Sequence, residues 1–333
     1  MIRRRDFLRG ISGAGTAALL GLRAAPAGAE APPETKKLTL ALTNSICQAP
    51  QYVAETLLNA EGFTDIRYSK VARGVEAQSV SKGEVDITLT FAGPVLLRID
   101  AGEPVVLLGG GHVGCMELVA GDRVRSVRDL KGKTVLVYAG GGSPPRVFLA
   151  IAMAHVGLDP RKDITLVTRP PAEALRMFEE GKVDAAVVSP PTAQEFRAKK
   201  IGRVIVDTTK DRPWSQYFCC MVAGNREFVR KHPIATKRAM RAILKSTDVC
   251  ALEPEGTARM LVDKGFANRY DYALQTMKEL PYQKWREYDP EDTVRFYSLR
   301  LHEAGMIKSS PQKIIAQGTD WRFLNELKKE LKG

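Results

Sequence analysis

Short apolar runs alternate with stretches of helical periodicity over the first two thirds of the chain. The runs are predicted to be buried strands, at 38–42, 66–70, 86–90, 105–109, 134–138, 164–168, 185–188 and 204–206. Helices are predicted between them, at 50–60, 75–82, 94–101, 144–156, 172–180 and 192–199. This alternation is typical of parallel sheets covered by helices. After Asn225 the pattern predicts helices only, at 234–252, 255–264, 270–279, 291–304 and 320–331.

Two segments share a pattern that favours two similar halves over one large sheet. Residues 83–89 and 181–187 each begin with a glycine that can end a helix, and each continues through Val-Asp into a buried strand. A helix that begins with proline follows each strand, at Pro94 and at Pro190. Ligands of open α/β sheets bind beyond the carboxyl ends of the strands. We therefore expect a binding site where the strand ends of the two halves face each other.

Four turns between a strand and a helix carry groups that could contact a ligand. They lie at 44–48, 91–93, 139–143 and 189, and proline stands near the start of each helix that follows. Three glycines in the third turn would let the backbone approach a ligand, and Ser143 adds a hydroxyl. A plain tight turn explains these glycines as well. Because Pro144 and Pro145 lack N–H donors, the preferred charge of the ligand stays open.

Composition and charge narrow the classes of protein. The chain has 333 residues, 44% of them hydrophobic, and a formal charge of +12. Such a composition excludes wholesale disorder, and the length suggests about two domains. Basic residues are scattered after residue 29 rather than concentrated in a dense tract, so nucleic acid is not an expected partner. No apolar run of about 18 residues predicts a transmembrane helix.

The first 29 residues have the three parts of an export signal. A basic start with Arg4 and Arg5 is followed by a short apolar stretch at 10–22 and by a small-x-small sequence at 27–29. The Arg-Arg-x-Phe-Leu sequence resembles the twin-arginine signal, which exports folded proteins; an arginine-rich Sec signal is the alternative. Both predict cleavage near Ala29 and a periplasmic protein. Residues 30–37 are expected to form a disordered lead-in.

The chain has five cysteines, an odd number that leaves at least one free thiol in an oxidising compartment. They are Cys47, Cys115, Cys219, Cys220 and Cys250. Neither a C-x-x-C sequence nor a Cys/His spacing typical of zinc sites is present, so no metal is expected. Buried, unreactive thiols are the simplest interpretation. A disulfide or a soft-metal site is the alternative.

The order of these motifs resembles that of the periplasmic solute-binding proteins of ABC importers. The branch is the one that binds nitrate, sulfonates, taurine and thiamine precursors. The resemblance extends over nearly the whole chain after the export signal. It is most specific at 126–135, where Asp-Leu-Lys-Gly-Lys leads into a strand that ends at the Gly/Ser turn. Nothing in these motifs identifies the solute.

The resemblance implies a type II periplasmic binding fold. Two doubly wound α/β lobes would be joined by two crossovers, near 117–120 and 218–222. Lobe one would comprise 38–117 and 222–333, and lobe two 118–221. The helical C-terminal extension would pack mainly on lobe one.

The function implied by the resemblance is non-catalytic capture of a small polar or anionic organic solute between the lobes. The protein would need no cofactor, would be a monomer, and would deliver the solute to an ABC permease in the inner membrane. Ligand contacts are implied for Ser45, Cys47, Gln48, Phe91, Gly93, Gly141, Gly142, Ser143, Ser189 and Thr192. Trp214 and Tyr217 are candidate aromatic walls, although Trp214 fits equally well as a core residue under the hinge. His112, after three glycines and a strand, is a further candidate for the cleft.

Two other classes of function stay open. Some enzymes have this fold, including thiamine-pyrimidine synthases and chorismate-type dehydratases. Catalysis needs a positioned acid, base or nucleophile, and His112 is the best candidate for one. A sensory module that presents its solute to a receptor would use the same closed surface. Turnover of a bound solute would identify an enzyme, and a neighbouring sensor-kinase gene would indicate signalling.

Overall fold

The computed structural model describes residues 30–43, 45–138 and 142–331. The export-signal prediction falls on residues 1–29 and therefore lies outside the described residues. Within the described ranges, none of the helices combines the length and the apolar character that crossing a bilayer requires.

Ten strands in the described residues form two five-stranded sheets. They are β1 (Lys37–Leu42), β2 (Asp65–Lys70), β3 (Ile87–Phe91), β4 (Val105–Val113), β5 (Glu117–Ala120), β6 (Lys133–Val137), β7 (Ile164–Thr168), β8 (Ala185–Val188), β9 (Arg203–Asp207) and β10 (Phe218–Asn225). Sheet one has the order β2-β1-β3-β10-β4, and sheet two has the order β7-β6-β8-β5-β9. We call the parts built on these sheets lobe one and lobe two. The prediction of two α/β lobes is confirmed.

Both sheets are mixed rather than purely parallel, which corrects the prediction. In lobe one, β1 runs parallel to β2 and β3, but β10 is antiparallel to β3 and β4. In lobe two, β5 is antiparallel to β8 and β9. The reason is that β5 and β10 enter each sheet from the opposite lobe. The chain crosses between the sheets at 114–116 and 208–217, just before the residues where the crossovers were predicted.

Strand β4 is longer than the strand predicted at 105–109, because Gly110, Gly111 and His112 continue it to Val113. A Cβ atom on Gly110 would lie 2.3 Å from the ring of Phe218, and one on Gly111 would lie 2.3 Å from Leu89. Only glycine therefore allows the side chains of Phe218 on β10 and Leu89 on β3 to pack this closely against β4. The register between β4 and β10 also shifts in this region, as at a β-bulge. His112, which was expected just after this strand, consequently lies within it and is buried.

Helices cover the sheets and form the C-terminal extension. They are α1 (Ala49–Val53), α2 (Glu55–Ala60), α3 (Glu76–Ser81), α4 (Ala92–Asp100), α5 (Pro144–His155), α6 (Pro171–Glu179), α7 (Thr192–Ala198), α8 (Arg226–Lys231), α9 (Pro233–Leu252), α10 (Pro254–Asp263), α11 (Tyr270–Glu279), α12 (Pro290–Glu303), α13 (Pro311–Gly318) and α14 (Arg322–Glu330). Two of them, α8 and α13, were not predicted, although each has a side-chain cap: Asn225 accepts from the N–H groups of Glu227 and Phe228, and Ser310 accepts from that of Lys313.

The C-terminal extension packs mainly on lobe one. Helix α9 contacts α1 and α2, and α14 packs against α9 and β4. Helix α12 touches both lobes, through α4 of lobe one and α5 of lobe two. The fully buried Trp285 lies in a short 3₁₀ segment that packs on β4 and α9. The extension thus covers the β4 edge of sheet one, and its helix α12 contacts both lobes at one side of the gap between them.

Candidate functional site

Several strand ends of lobe one meet at the edge that faces lobe two. Cys220, near the amino end of β10, pairs with Phe91 at the end of β3 on one side and with His112 near the end of β4 on the other. A 3₁₀ turn over Ile46–Gln48 follows β1 and brings the buried side chains of Cys47 and Gln48 to the same edge. This arrangement follows the rule that ligand sites of α/β sheets form where strands end.

A cavity of about 20 Å³ is enclosed between the two lobes at this edge. Its walls come from lobe one, from lobe two and from the first crossover, and consist of Ser45, Cys47, Gln48, Arg73, Glu76, Thr90, Phe91, Cys115, Met116, Tyr138, Pro144, Ser189 and Cys220. A cavity of about 10–15 Å³ is enough for one water molecule. The structure therefore shows a closed conformation, and a polyatomic solute needs the lobes to move apart.

Arg73 connects the lobes across this cavity. It lies in the loop between β2 and α3, and its Nη2 donates to the Ser189 hydroxyl oxygen at 2.6 Å and to the Pro190 carbonyl oxygen at 2.9 Å. Its guanidinium carbon is 4.7 Å from the centre of the Tyr138 ring. The Tyr138 hydroxyl in turn lies 2.6 Å from the Ser189 oxygen. One side chain of lobe one is thus held by three residues of lobe two.

Arg73 keeps its positive charge on the cavity wall, whereas burial favours the neutral forms of Glu76 and Tyr138. Burial raises the pKa of Glu76, although its carboxylate accepts a 2.8 Å hydrogen bond from the Gly74 N–H. Burial likewise raises the pKa of Tyr138. For Arg73, burial would lower the pKa, but the neighbouring Tyr138, Cys47 and Glu76 outweigh it and raise the pKa. The cavity therefore suits a ligand atom or a wall group that carries negative charge.

Gln48 is held in place by a buried hydrogen-bond network. Its amide oxygen accepts from the Thr43 hydroxyl at 2.8 Å and from the Tyr52 hydroxyl at 2.7 Å. The Tyr52 oxygen also accepts from the Thr43 N–H at 3.1 Å. With its oxygen engaged within lobe one, Gln48 can offer its NH₂ group as a donor to a ligand.

Sulfur atoms are concentrated at the floor of the cleft. The Sγ atoms of Cys47, Cys115 and Cys220 and a ring nitrogen of His112 all lie within 4.8 Å of one another, and all four residues are buried. The Cys219 Sγ is 3.0 Å from that of Cys115, and each of the five cysteines is a free thiol. Burial disfavours the Cys219 thiolate, but hydrogen bonds from Cys115 and Cys220 lower the pKa of Cys219 to about 6. The hydrogen bond with Cys219 raises the pKa of Cys115, so these two neighbouring thiols are shifted in opposite directions.

Some of the predicted contact residues lie on the wall of this cavity. They are Ser45, Cys47, Gln48, Phe91 and Ser189. His112 pairs with Cys220 on the neighbouring strand and is fully buried. Gly141 lies outside the described residues. Gly142 and Ser143 precede α5, where a Cβ on Gly142 would be 3.2 Å from Leu97, and one on Gly74 would be 3.1 Å from the Cβ of Ser143. These two residues therefore form part of the contact between the lobes.

Other predicted residues lie away from the cavity. Gly93 is inside α4, where it lets α5 approach. Thr192 lines a neighbouring pocket of about 190 Å³ together with Ile46. Trp214 is only 5% exposed and packs edge-on against Phe148 of α5, with ring centres 5.4 Å apart. Tyr217 stacks on Phe296 of α12 at 4.1 Å. The core interpretation of Trp214 therefore fits its position in the structure.

Sequence reasoning missed eight residues of the wall. They are Arg73, Glu76, Thr90, Cys115, Met116, Tyr138, Pro144 and Cys220. Arg73 could have been found, because its loop follows the carboxyl end of β2 and obeys the same rule as the four turns. The positions of Cys115 and Cys220 depend on how β10 inserts between β3 and β4, and no local pattern reports this pairing.

Comparison with known proteins identifies relatives of this chain. The sequence model of the NMT1-like family matches residues 31–263. No curated protein matches the chain by sequence.

The fold is also found in solved structures of periplasmic proteins. The nitrate-binding protein NrtA from Synechocystis PCC 6803 has a TM-score of 0.75 and 15% identity, covering 91% of this chain and 90% of that chain. The alkanesulfonate-binding protein SsuA from Xanthomonas axonopodis pv. citri, bound to MOPS, has a TM-score of 0.68 and 17% identity. The match covers 83% of this chain and 96% of that chain. The aliphatic sulphonate binding protein SsuA from Escherichia coli has a TM-score of 0.66 and 18% identity. The match covers 83% of this chain and 95% of that chain. At these identities the likeness shows the fold.

Proposed function

Because this chain belongs to the NMT1-like family, we propose that it is a periplasmic solute-binding protein that encloses a small polar or anionic solute between its lobes. The two lobes are those built on sheet one and on sheet two, joined by the segments 114–116 and 208–217. The closed form would be the one that an ABC permease in the inner membrane recognises. The fold shared with nitrate- and sulfonate-binding proteins supports this function, and so does the export signal that the sequence predicts for the first 29 residues.

A single observation carries the proposal: both lobes contribute walls to one enclosed cavity, and Arg73 spans the gap. Its guanidinium reaches Ser189 and Pro190 in the closed form. In an open form these bonds are broken and the same donors face water. A solute with anionic or carbonyl oxygen atoms would compete for these donors and add contacts to both lobes. It would therefore bind the closed conformation better than the open one and shift the population towards closure.

The proposed ligand contacts are polar groups on the cavity wall. Ser45 and Gln48 from lobe one and Ser189 from lobe two supply hydroxyl and amide donors. Ser143, at the amino end of α5, and the glycine turn before it would complete the lobe-two side. Because burial favours the neutral form of Glu76, the Arg73 cation dominates the charge of the cavity. This balance favours an anionic or strongly polar solute over a cationic amine.

The test is solute binding coupled to closure. We would purify the protein from its own host, release any co-purified small molecule and identify it by native mass spectrometry. Calorimetry then measures its affinity, and small-angle X-ray scattering measures the radius of gyration with and without it. We expect saturable 1:1 binding and a smaller radius of gyration in the bound state. Binding without any change in shape would contradict the closure mechanism, and conversion of the molecule to a product would show an enzyme.

Matched variants connect this binding to the cleft. We expect Ser143→Ala combined with Gly141→Val to abolish solute binding while the circular dichroism spectrum is retained. The control is Arg67→Met, which removes an exposed cation of β2 that pairs with Asp65 at 2.8 Å. If the double variant binds the solute as tightly as the control does, the glycine turn is not part of the site.

A further inference from the structure

Four side chains from separate parts of the chain converge on one point at the floor of the cleft. Cys47 comes from the turn after β1, His112 from β4, Cys115 from the first crossover and Cys220 from β10. Their ligand atoms lie within 4.8 Å of one another. Zn–S bonds of about 2.3 Å place the ligands of a tetrahedral site about 3.8 Å apart, so these atoms are within about 1 Å of that spacing.

His112 has the hydrogen-bond pattern of a metal ligand. Its Nδ1 is 3.2 Å from the carbonyl oxygen of Val113, which can only accept, so the ring proton is on Nδ1. The Nε2 atom is then a lone-pair donor, and it is buried without a hydrogen-bond partner in the described part of the chain. Imidazoles that bind metals usually donate their other N–H to a carbonyl or carboxylate oxygen in this way. A buried acceptor without any partner would otherwise be costly.

Cys115 is held at the cluster in an unfavourable backbone conformation. Its φ angle is 117°, in a region that side-chain-bearing residues rarely adopt. The preceding Gly114 has a φ angle of 72°, and a Cβ there would lie 2.6 Å from Thr209. Backbone strain of this kind persists where the surrounding structure imposes it, commonly at functional sites. Here the strained crossover places a thiol beside those of Cys47 and Cys220.

We propose that Cys47, Cys115, Cys220 and His112 bind one thiophilic d¹⁰ cation, Zn²⁺ or Cu⁺, at the floor of the cleft. Thiolate and imidazole ligands favour these ions over Mg²⁺ or Ca²⁺, which prefer oxygen ligands. On binding, the thiols release their protons to solvent. Three thiolates around Zn²⁺ leave a net charge of −1, which the Arg73 guanidinium on the same cavity wall offsets.

The proposed metal site is separate from solute capture, because its four ligands come together without closure of the lobes. Its ligands lie on lobe one or on the crossover that leaves it, whereas the solute would bridge both lobes. Three of the ligands, Cys47, Cys115 and Cys220, line the cavity, so a cation can reach them when the cleft opens. The cation would therefore be retained in both the open and the closed conformations, as a fixed part of the cleft floor.

The experiment is a competition titration of the reduced protein under anaerobic conditions. Zn²⁺ is titrated against a chromophoric zinc chelator, and Cu⁺ in a separate arm against a chromophoric copper chelator. We expect one equivalent to be bound in at least one arm, which identifies the ion, and no binding of Mg²⁺. With Co²⁺ as a probe, we expect the intense ligand-field absorption of a tetrahedral thiolate site. A wild-type protein that binds neither Zn²⁺ nor Cu⁺ in competition with the chelator would overturn the proposal.

Variants distinguish this site from surface binding. We expect Cys47→Ser and His112→Ala each to weaken binding by more than about 100-fold, since loss of outer-sphere partners alone typically costs 10–100-fold. Cys250→Ser is the matched control, because it removes a fully buried thiol of α9 outside the cluster and should bind as wild type does. Equal affinity in Cys47→Ser and Cys250→Ser would overturn the proposal. Circular dichroism of each variant in the presence of chelator reports whether it folds.

Two further outcomes separate this inference from other interpretations. If thiol counting of the purified protein finds a disulfide between Cys115 and Cys219 and no cation binds after reduction, the cluster is a redox pair and the metal proposal fails. If a cation binds at one equivalent but no solute changes the radius of gyration, the metal site stands and the proposed transport function fails. If a solute closes the lobes and no cation binds, the opposite holds.

Discussion

The Arg73 guanidinium donates a 2.6 Å hydrogen bond to the hydroxyl of Ser189, 116 residues away and on the other lobe. These two residues are far apart in sequence, and their contact joins the two lobes across the cavity. The Tyr138 ring beneath the guanidinium and the Pro190 carbonyl oxygen fix its orientation. Arg73 is therefore both the cation of the cavity and a latch between the lobes.

We expect Arg73→Met to weaken solute binding by about 100-fold or more. A hydrogen bond to a charged group contributes about 1.5–3 kcal/mol, and the substitution removes two such bonds from the closed state only. Calorimetry with the co-purified solute measures the change, and the exposed Arg67→Met variant is the control. Scattering should also show a larger radius of gyration at subsaturating solute. Full affinity in Arg73→Met would contradict the role of this residue as a latch.

Gly93 sets how closely the lobes approach at α4. A Cβ on Gly93 would lie 2.5 Å from the Val147 Cγ1 of α5 on lobe two and 2.8 Å from the ring of Phe91. We expect Gly93→Ala to hold the lobes apart and to weaken solute binding by about tenfold or more, since overpacking costs about 1–3 kcal/mol. The same measurement on the double variant with Val147→Ala should recover part of the affinity. If the second substitution restores nothing, the clash lies within lobe one, at Phe91.

Arg197 connects lobe two to the helical extension of lobe one. It pairs with the buried carboxylate of Glu117 in its own lobe and, at 2.6 Å, with that of Glu279 on α11. We expect Arg197→Met to lower the free energy of unfolding by on the order of 2 kcal/mol, because it leaves the Glu117 charge buried without its partner. Glu279→Gln removes the charge of the pair between the lobes and leaves the Arg197–Glu117 pair in place, so its effect on unfolding should stay below about 1 kcal/mol.

Urea denaturation followed by circular dichroism compares these two variants. The two glutamates share the same arginine but differ in burial, so each variant serves as the control of the other. An equal loss of stability in both would mean that the buried Glu117 is satisfied in another way. Scattering then shows whether Glu279→Gln favours the open form at a fixed solute concentration.

Local pattern was enough to predict most of the strands, because buried β-branched runs and proline-led helices encode them independently of the rest of the chain. The local pattern could not predict how β5 and β10 pair in their sheets. Each of them runs antiparallel in its sheet because the chain arrives from the other lobe, and this direction is set by chain connectivity. The glycines at 109–111 illustrate the same limit. The predicted strand ended at Gly109, but Gly110 and Gly111 continue it, where glycine allows close packing against Phe218 and Leu89.

The candidate site was predictable only where one strand end supplies the residues. Ser45, Cys47 and Gln48 follow β1 directly, so the strand-end rule was sufficient to place them on the cavity wall. The sulfur cluster could not be recognised from spacing, because zinc-site spacings describe ligands on one short segment. Here Cys47, Cys115 and Cys220 are separated by 68 and 105 residues and meet through sheet pairing.

The last prediction concerns Glu34, in the segment 30–37 that was predicted to be a disordered lead-in. Its carboxylate accepts hydrogen bonds of 2.9 Å from the N–H groups of Ile234 and Ala235 at the start of α9. Partial burial would raise the pKa of Glu34, but these bonds outweigh it and lower the pKa below its usual 4.5. A carboxylate with a lowered pKa stabilises the fold above its unfolded pKa, and this contribution is lost as the pH falls through the folded pKa.

We therefore expect Glu34→Gln to lower the free energy of unfolding at pH 7 by about 0.3–1 kcal/mol, the range for an exposed acidic group at a helix amino terminus. The difference between wild type and variant should shrink as the pH falls below 4.5, because the wild-type carboxylate then becomes protonated. Urea titrations at pH 7 and at about pH 3 measure it. The exposed Glu84→Gln is the matched control and should change little at either pH. A difference that is the same at both pH values would show that the charge of Glu34 does not anchor this segment to α9.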